Sequence, residues 1–263
     1  ADLVWGTAAS SLLILEERGM LEPYAPAGLE RVMPQFKDTA NPPSWVGINA
    51  WEAAFVLNKK EAEARNLPPV SSYQDLLKPE FRGQIIMSNP SSSGTGFLFV
   101  SGLIQSMGEA AAFAYLDELH QNIAMYTHSG SAPARRAGEG EFSLGISFGY
   151  AGVAQLNRGF PVDLIFPVEG SGWDVEANAL IKRSEIKDAA KKFLDWAISL
   201  EKMDMLKDDY AITSIRVSDV IPGGYIKDPV SQLLPNDLKW AASNRERILE
   251  EWSRRYDGKT ESR

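Results

Sequence analysis

Six small residues, Ser91-Ser92-Ser93-Gly94-Thr95-Gly96, run together between an apolar strand at 84–87 and a helix that begins near Phe97. Hydroxyls and glycines at such a place can cradle an anion, because a helix N-terminus carries unpaired backbone N–H groups and partial positive charge. The run lacks the Lys of a nucleotide-binding P-loop, and G-x-G alone is a weak pattern, so an ordinary Ser-capped helix is the competing reading. Two more loops share the character: Thr127-His128-Ser129-Gly130-Ser131 and Ser147-Phe148-Gly149-Tyr150. Ligand groups converge beyond the carboxyl ends of strands in an open α/β sheet, so three hydroxyl-bearing loops at strand ends favour one shared site. His128 taken alone reads more readily as a surface or hydrogen-bonding histidine than as a ligand or base.

The run Glu169-Gly170-Ser171-Gly172-Trp173-Asp174-Val175-Glu176 places an indole and two carboxylates in a Gly-containing loop that feeds a strand. An aromatic face and carboxylates together stabilise an ammonium, which makes this a candidate amine cage; a solvated acidic loop with a core Trp is the alternative. Asp174 and Glu176 alternate onto one face of a strand, which does not by itself make an acid–base pair. Trp5 lies beside a helix start near Thr7 and could wall a site, although most Trp residues simply pack.

The elements that must position these groups alternate strand and helix. Strands are expected at 2–5, 53–57, 84–87, 123–127, 144–148, 162–166 and 177–181. Helices are expected from about 7–10 to 18, over 97–107, 110–120 and 188–200, and as a long amphipathic closing helix over 236–256. Residues 24–45 hold Pro26, Pro34, Pro42 and Pro43 and read as irregular connection. The order implies an α/β protein containing parallel strands.

The chain has 263 residues, 44% hydrophobic, enough for one large or two modest domains. No stretch reaches the length and apolarity of a membrane-spanning helix. A formal net charge of −8 opposes binding to nucleic acid, so any bound anion must be held locally. The absence of cysteine removes disulfides, thiolate catalysis and Cys-based zinc sites. His120 and His128 stand without an H-E-x-x-H signature, which disfavours metal hydrolysis. The first residues read as the inside of a domain, without a signal peptide.

On residues 1–11, 89–98, 126–133, 145–150 and 166–180, the chain resembles the extracellular solute-binding proteins of ABC importers. The resemblance extends over nearly the whole length and lies in the branch shared by ferric-ion, polyamine and phosphonate binders. It is most similar to the 2-aminoethylphosphonate-binding group. The resemblance implies a two-lobed, type II periplasmic binding protein with mixed sheets flanked by helices and a ligand clamped between lobes. Lobe 1 would comprise 1–50 and 175–235, and lobe 2 would comprise 51–174 and 236–263. An upstream strand and helix of lobe 1 would be absent.

By the same resemblance the protein is a periplasmic monomer rather than an enzyme, takes no cofactor or metal, and partners an inner-membrane ABC permease. The positions matching 91–96, Ser129 and Ser147 would hold an oxyanion, and the segment with Trp173, Asp174 and Glu176 an ammonium. Ferric-ion binders use adjacent tyrosines near 148–150; only Tyr150 remains here, so iron is not expected. The expected ligand-binding set is Trp5, Thr7, Ser92, Ser93, Gly94, Thr95, His128, Ser129, Ser147, Tyr150, Trp173, Asp174 and Glu176. The expected ligand is 2-aminoethylphosphonate. Phosphate, a sugar phosphate or another phosphonate is the alternative, and a phosphonate- or phosphate-ester hydrolase is the reading from another class.

Overall fold

A computed structural model describes residues 1–208 and 210–262. In chain order the elements are β1 (Leu3–Ala8), α1 (Ala9–Glu17), β2 (Leu21–Glu22), β3 (Val46–Asn58), α2 (Lys59–Ala64), β4 (Ile85–Ser88), α3 (Gly94–Met107), α4 (Glu109–Asn122), β5 (Ile123–Thr127), α5 (Ala132–Gly138), β6 (Leu144–Phe148), α6 (Gly149–Asn157), β7 (Val162–Ile165), β8 (Trp173–Ile181), α7 (Asp188–Ala197), α8 (Leu200–Leu206) and α9 (Leu238–Tyr256). The fold is mixed α/β. Two compact units divide it: unit 1 holds Ala1–Trp51, Asp174–Pro222 and Asp237–Ser243, and unit 2 holds Glu52–Trp173, Gly223–Asn236 and Asn244–Arg263.

In unit 1, β8 is flanked by two antiparallel partners, with Leu3 opposite Leu180 on β1 and Leu21 opposite Ile181 on β2. The pairing with β1 shifts register between Val4 and Thr7, where Gly6 takes φ +60°, a value an L side chain resists. Helix α7 closes one face: its Ala190 and Leu194, one turn apart, bury against Leu180. Burying a side chain the size of Leu180 or Leu194 contributes roughly 1.5–3 kcal/mol.

In unit 2, β3 pairs antiparallel with β6 and with β7, while β4 pairs parallel with both β5 and β6. The parallel arrangement expected from the alternation therefore covers β4, β5 and β6, and β3 and β7 make the sheet mixed. All four residues of β4 are buried, as are the first four of β6, which suits strands covered on both faces. Across the unit, Ile248, Trp252 and Tyr256 of α9 form a fully buried stripe.

Several boundaries differ from those read in the sequence. Strand β3 begins at Val46, seven residues ahead of the expected start, because Asn49 and Glu52 interrupt the apolar run yet lie buried within it. Strand β8 begins at Trp173, so the second half of the expected acidic loop, Trp173 to Glu176, is strand. Residues 223–235, assigned to lobe 1, belong to unit 2. There Leu234 N donates to Ser171 O at 3.0 Å, Ser171 N donates to Gln232 O at 2.7 Å, and Gln232 Nε2 reaches Pro167 O at 2.7 Å. Residues 237–243, assigned to lobe 2, belong to unit 1.

Candidate functional site

The three parallel strands of unit 2 end side by side, and the three hydroxyl loops follow from those ends. After β4, the Asn89 side chain accepts from Ser91 N at 2.7 Å, and the Asn89 carbonyl accepts from Ser93 N at 2.9 Å. These bonds turn the chain so that α3 starts at Gly94. Ser93 holds the N-cap position in extended conformation, φ −133° and ψ 128°, but its buried hydroxyl makes no capping bond. The amides of the first turn of α3 have no partner within the helix. Thr95 is buried beside it.

The loop after β5 comes to this turn through Gly130. A Cβ there would lie 2.5 Å from Thr95 Oγ1 and 2.9 Å from Ser93 Oγ, so the two hydroxyls occupy the space that any other residue would fill. The Ser147 hydroxyl, at the end of β6, donates to Gly130 O at 2.7 Å, and Thr127 Oγ1 donates to Ser129 O at 2.9 Å. Ser92 pairs with His128 Nδ1 at 3.2 Å, and Ser129 with Ser131 at 3.3 Å, both at the surface. Ser92, Ser93, Gly94, Thr95, His128, Ser129 and Ser147 are thus gathered in unit 2, although Ser147 spends its proton on Gly130. Tyr150 lies in the first turn of α6, its ring 6.3 Å from that of Phe148.

Residues 145–149 spell G-x-S-x-G across the turn from β6 to α6, a pattern that also marks nucleophile elbows. Here Ser147 is fully buried and its proton goes to a carbonyl oxygen, while the nearby loop histidine engages Ser92. The serine has none of the activation that nucleophilic catalysis needs.

A brace from the chain's end shapes these loops. Asn89 Nδ2 donates to Thr260 Oγ1 at 2.9 Å and to Asp257 at 3.2 Å, and the Glu261 carboxylate accepts from His128 N at 2.6 Å. Lys259 Nζ donates to the carbonyls of His120 and Ile123 at 2.6 and 2.7 Å. Nothing in the sequence around 89–93 signals partners about 170 positions away.

Glu52 was also missed. It is 1% exposed on β3, one position beyond the Ala53–Phe148 pair and therefore beside Gly149. A Cβ on Gly149 would fall 2.1 Å from the Tyr225 hydroxyl and 2.3 Å from Glu52 Oε1. Burial pushes the Glu52 carboxyl up to about 8, against the smaller opposing effect of the Tyr225 hydroxyl. Among the described residues, no other side chain donates to its oxygens. The signal was a lone acid entering the run Ala53-Ala54-Phe55-Val56.

In unit 1 the expected residues are engaged with other groups of the unit. Asp174, buried on β8, accepts from the Ser10 hydroxyl at 2.5 Å and from Val175 N at 2.7 Å, and so anchors the first turn of α1. Glu176 accepts from Asn49 Nδ2 at 2.7 Å; burial raises its carboxyl, while Asn49 and Lys202 pull it down. Nearby, Asn178 Oδ1 accepts from Gly6 N at 2.8 Å, and Asn178 Nδ2 and Asn49 Oδ1 are buried with no hydrogen-bond partner among the described residues. Thr7 pairs with Ala177 across the strands. Trp5 stacks its ring 6.1 Å from Trp196 and meets Phe193 edge-on at 4.8 Å, covering α7.

Trp173 lies in unit 2, buried, with its indole N–H on Leu234 O at 2.7 Å. Neither unit by itself holds the cage of one indole and two carboxylates that the sequence suggested. Among the described residues no three His, Asp or Glu side chains gather in a way that could hold a metal ion.

Comparison with known proteins gives this arrangement its context. A Haemophilus influenzae protein of unassigned role is 26% identical over 96% of this chain and 75% of its own length. The phosphoglycerate transport regulatory protein PgtC of Salmonella typhimurium is 26% identical over 79% of this chain, and the match spans about half, 51%, of that protein. Among solved structures, the periplasmic binding protein AfuA of Actinobacillus pleuropneumoniae, with fructose-6-phosphate bound, superposes with a TM-score of 0.88 at 26% identity, covering 98% of this chain and 83% of that one. Apo ferric-ion-binding protein A of Pasteurella haemolytica, at 17% identity and TM-score 0.79 over 97% and 82%, shares the fold. These are two-lobed type II binding-protein structures. Proteins of this kind bind solutes for ABC permeases and are not enzymes. Residues 1–221 match the family described as bacterial extracellular solute-binding protein, and the chain belongs to that family.

Proposed function

We propose that this binding protein captures a small phosphonate, 2-aminoethylphosphonate first, in the periplasm and presents it to an ABC permease. The oxyanion is held in unit 2 by the first turn of α3, by Ser93 and Thr95, and by the loop around Gly130. The carrying observation is the convergence of two buried hydroxyls and one glycine at a helix start where no Lys or Arg stands in the three loops. Hydrogen bonds to a charged group contribute about 1.5–3 kcal/mol each, so several donors at one turn favour holding an anion there. Small donors also suit a compact three-oxygen head, since they leave room for it beside the backbone.

A phosphate ester is the second reading, supported by the relatives named for phosphoglycerate and fructose-6-phosphate. Calorimetric titration with 2-aminoethylphosphonate, ethylphosphonate, phosphate and fructose-6-phosphate separates the two. The reading expects the phosphonates to bind more tightly than the ester by at least an order of magnitude. Binding of fructose-6-phosphate alone would replace it with the second reading, and sustained turnover of a phosphate ester would refute the binding role.

A further inference from the structure

We propose that Glu52, under the turn from β6 to α6, receives the cationic end of an amine-bearing solute and releases its own proton as it does so. The proposal rests on the phosphonate reading and names the group that would give that site its preference among phosphonates.

Three observations point to Glu52. A carboxyl with one hydroxyl neighbour and no cation is a costly occupant of a strand interior, and an apolar residue there would serve the fold better. Its surroundings suit an ammonium: the Tyr225 hydroxyl meets it at Gly149, the Tyr225 ring packs 4.9 Å from that of Phe166, and aromatic groups with a carboxylate stabilise such a cation. Its position also fits, because the Ala53–Phe148 and Ala54–Ser147 pairs put it two residues along the ladder, on the same face, from the serine that ties the Gly130 loop. The two ends of 2-aminoethylphosphonate are joined by only two carbons, so carboxylate and oxyanion donors must belong to neighbouring turns.

The missing side chain at Gly149 leaves the Tyr225 hydroxyl and Glu52 Oε1 room to meet above the first turn of α6. Tyr225 is the titratable group that faces Glu52, arriving on the 223–236 segment; from β6 and α6 the neighbours are Phe148 and Gly149, neither charged. The proton balance is simple. The neutral carboxyl meets an ammonium that keeps its three hydrogens, the carboxyl ionises, and its proton passes to the buffer. Burial holds the empty carboxyl protonated at neutral pH, and a cation at contact distance reverses that preference.

The test is titration of the whole chain with 2-aminoethylphosphonate and with ethylphosphonate at pH 7, each in two buffers of different ionisation enthalpy, for wild type and Glu52→Gln. Wild type should prefer the amine-bearing ligand by about tenfold or more, as expected for a buried charge pair. It should also release about one more proton than Glu52→Gln with that same ligand. The variant should bind both phosphonates equally. If it keeps the wild-type preference, or if wild type releases no extra proton, Glu52 is not the receiving group, while ethylphosphonate binding leaves the oxyanion reading standing. If wild type binds neither phosphonate, both proposals fall. Should Glu52→Gln not fold, Tyr225→Phe supplies the test: losing the hydroxyl that lowers the carboxyl must move the pH at which amine preference appears upward, and an unmoved profile overturns the proposal.

Discussion

Ser147 Oγ donates to Gly130 O at 2.7 Å, and through that bond the end of β6 fixes the backbone after β5 against the start of α3. The donors of the proposed oxyanion site are therefore positioned by one another before any solute arrives, which limits the ordering cost of binding.

Gly130→Ala tests that arrangement directly. The backbone at this residue is not in the left-handed region, so the effect is steric: the new methyl would sit 2.5 Å from Thr95 Oγ1. Phosphonate affinity should fall by about tenfold or more, roughly 1.4 kcal/mol, in calorimetric titration. The thermal midpoint should move much less, by about 4 °C or under.

Asn89→Ala removes the side chain that links Ser91 N to Thr260 and Asp257. Leaving these groups without a partner costs about 1–3 kcal/mol. Amide exchange at Ser91 to Ser93 should speed up measurably, and phosphonate affinity should weaken several-fold. Unchanged exchange rates would mean that the turn holds without its brace.

Asp174→Ala should act on stability rather than on oxyanion binding, since its carboxylate serves Ser10 and the backbone of unit 1. A buried hydroxyl left without its acceptor costs about 1–3 kcal/mol. Urea unfolding should show that loss, and ethylphosphonate affinity should stay within about twofold of wild type.

Stability without ligand should fall as pH rises from near the ordinary carboxylate range to about 8, the value to which burial lifts Glu52. The sign follows from proton counts: across this window the unfolded chain has released the proton that the folded chain retains, so unfolding is increasingly favoured. The slope contributed is at most about 1.4 kcal/mol per pH unit and flattens above pH 8. Glu52→Gln should lose this component, which urea titrations at pH 5, 6.5 and 8 would detect.

Much of the hydroxyl-rich turn at 91–96 was legible because it is local. Residues 91–96 are small and hydroxylated between a strand and a helix, and the loops at 127–131 and 147–150 repeat the character at neighbouring strand ends. The amphipathic stripe of α7 and the closing helix were equally readable from spacing. What escaped depends on distant partners. Trp173 looked like a cage wall because an indole among acids attracts cations; its hydrogen bond to Leu234, sixty-one positions on, makes it part of the interior of unit 2. Asp174 looked available until Ser10 was placed beside it. Glu52 was overlooked since the strand was read as starting at Ala53, where the apolar run begins. No local rule announces that an acid just before such a run is buried with it.

The brace from Asp257, Thr260 and Glu261 carries a consequence for biogenesis. When a ribosome has made β4, β5 and β6, the hydroxyl turns already exist as chain, yet the struts that set their shape are more than a hundred residues from synthesis. The turns therefore gain these struts only when the residues after α9 join the unit.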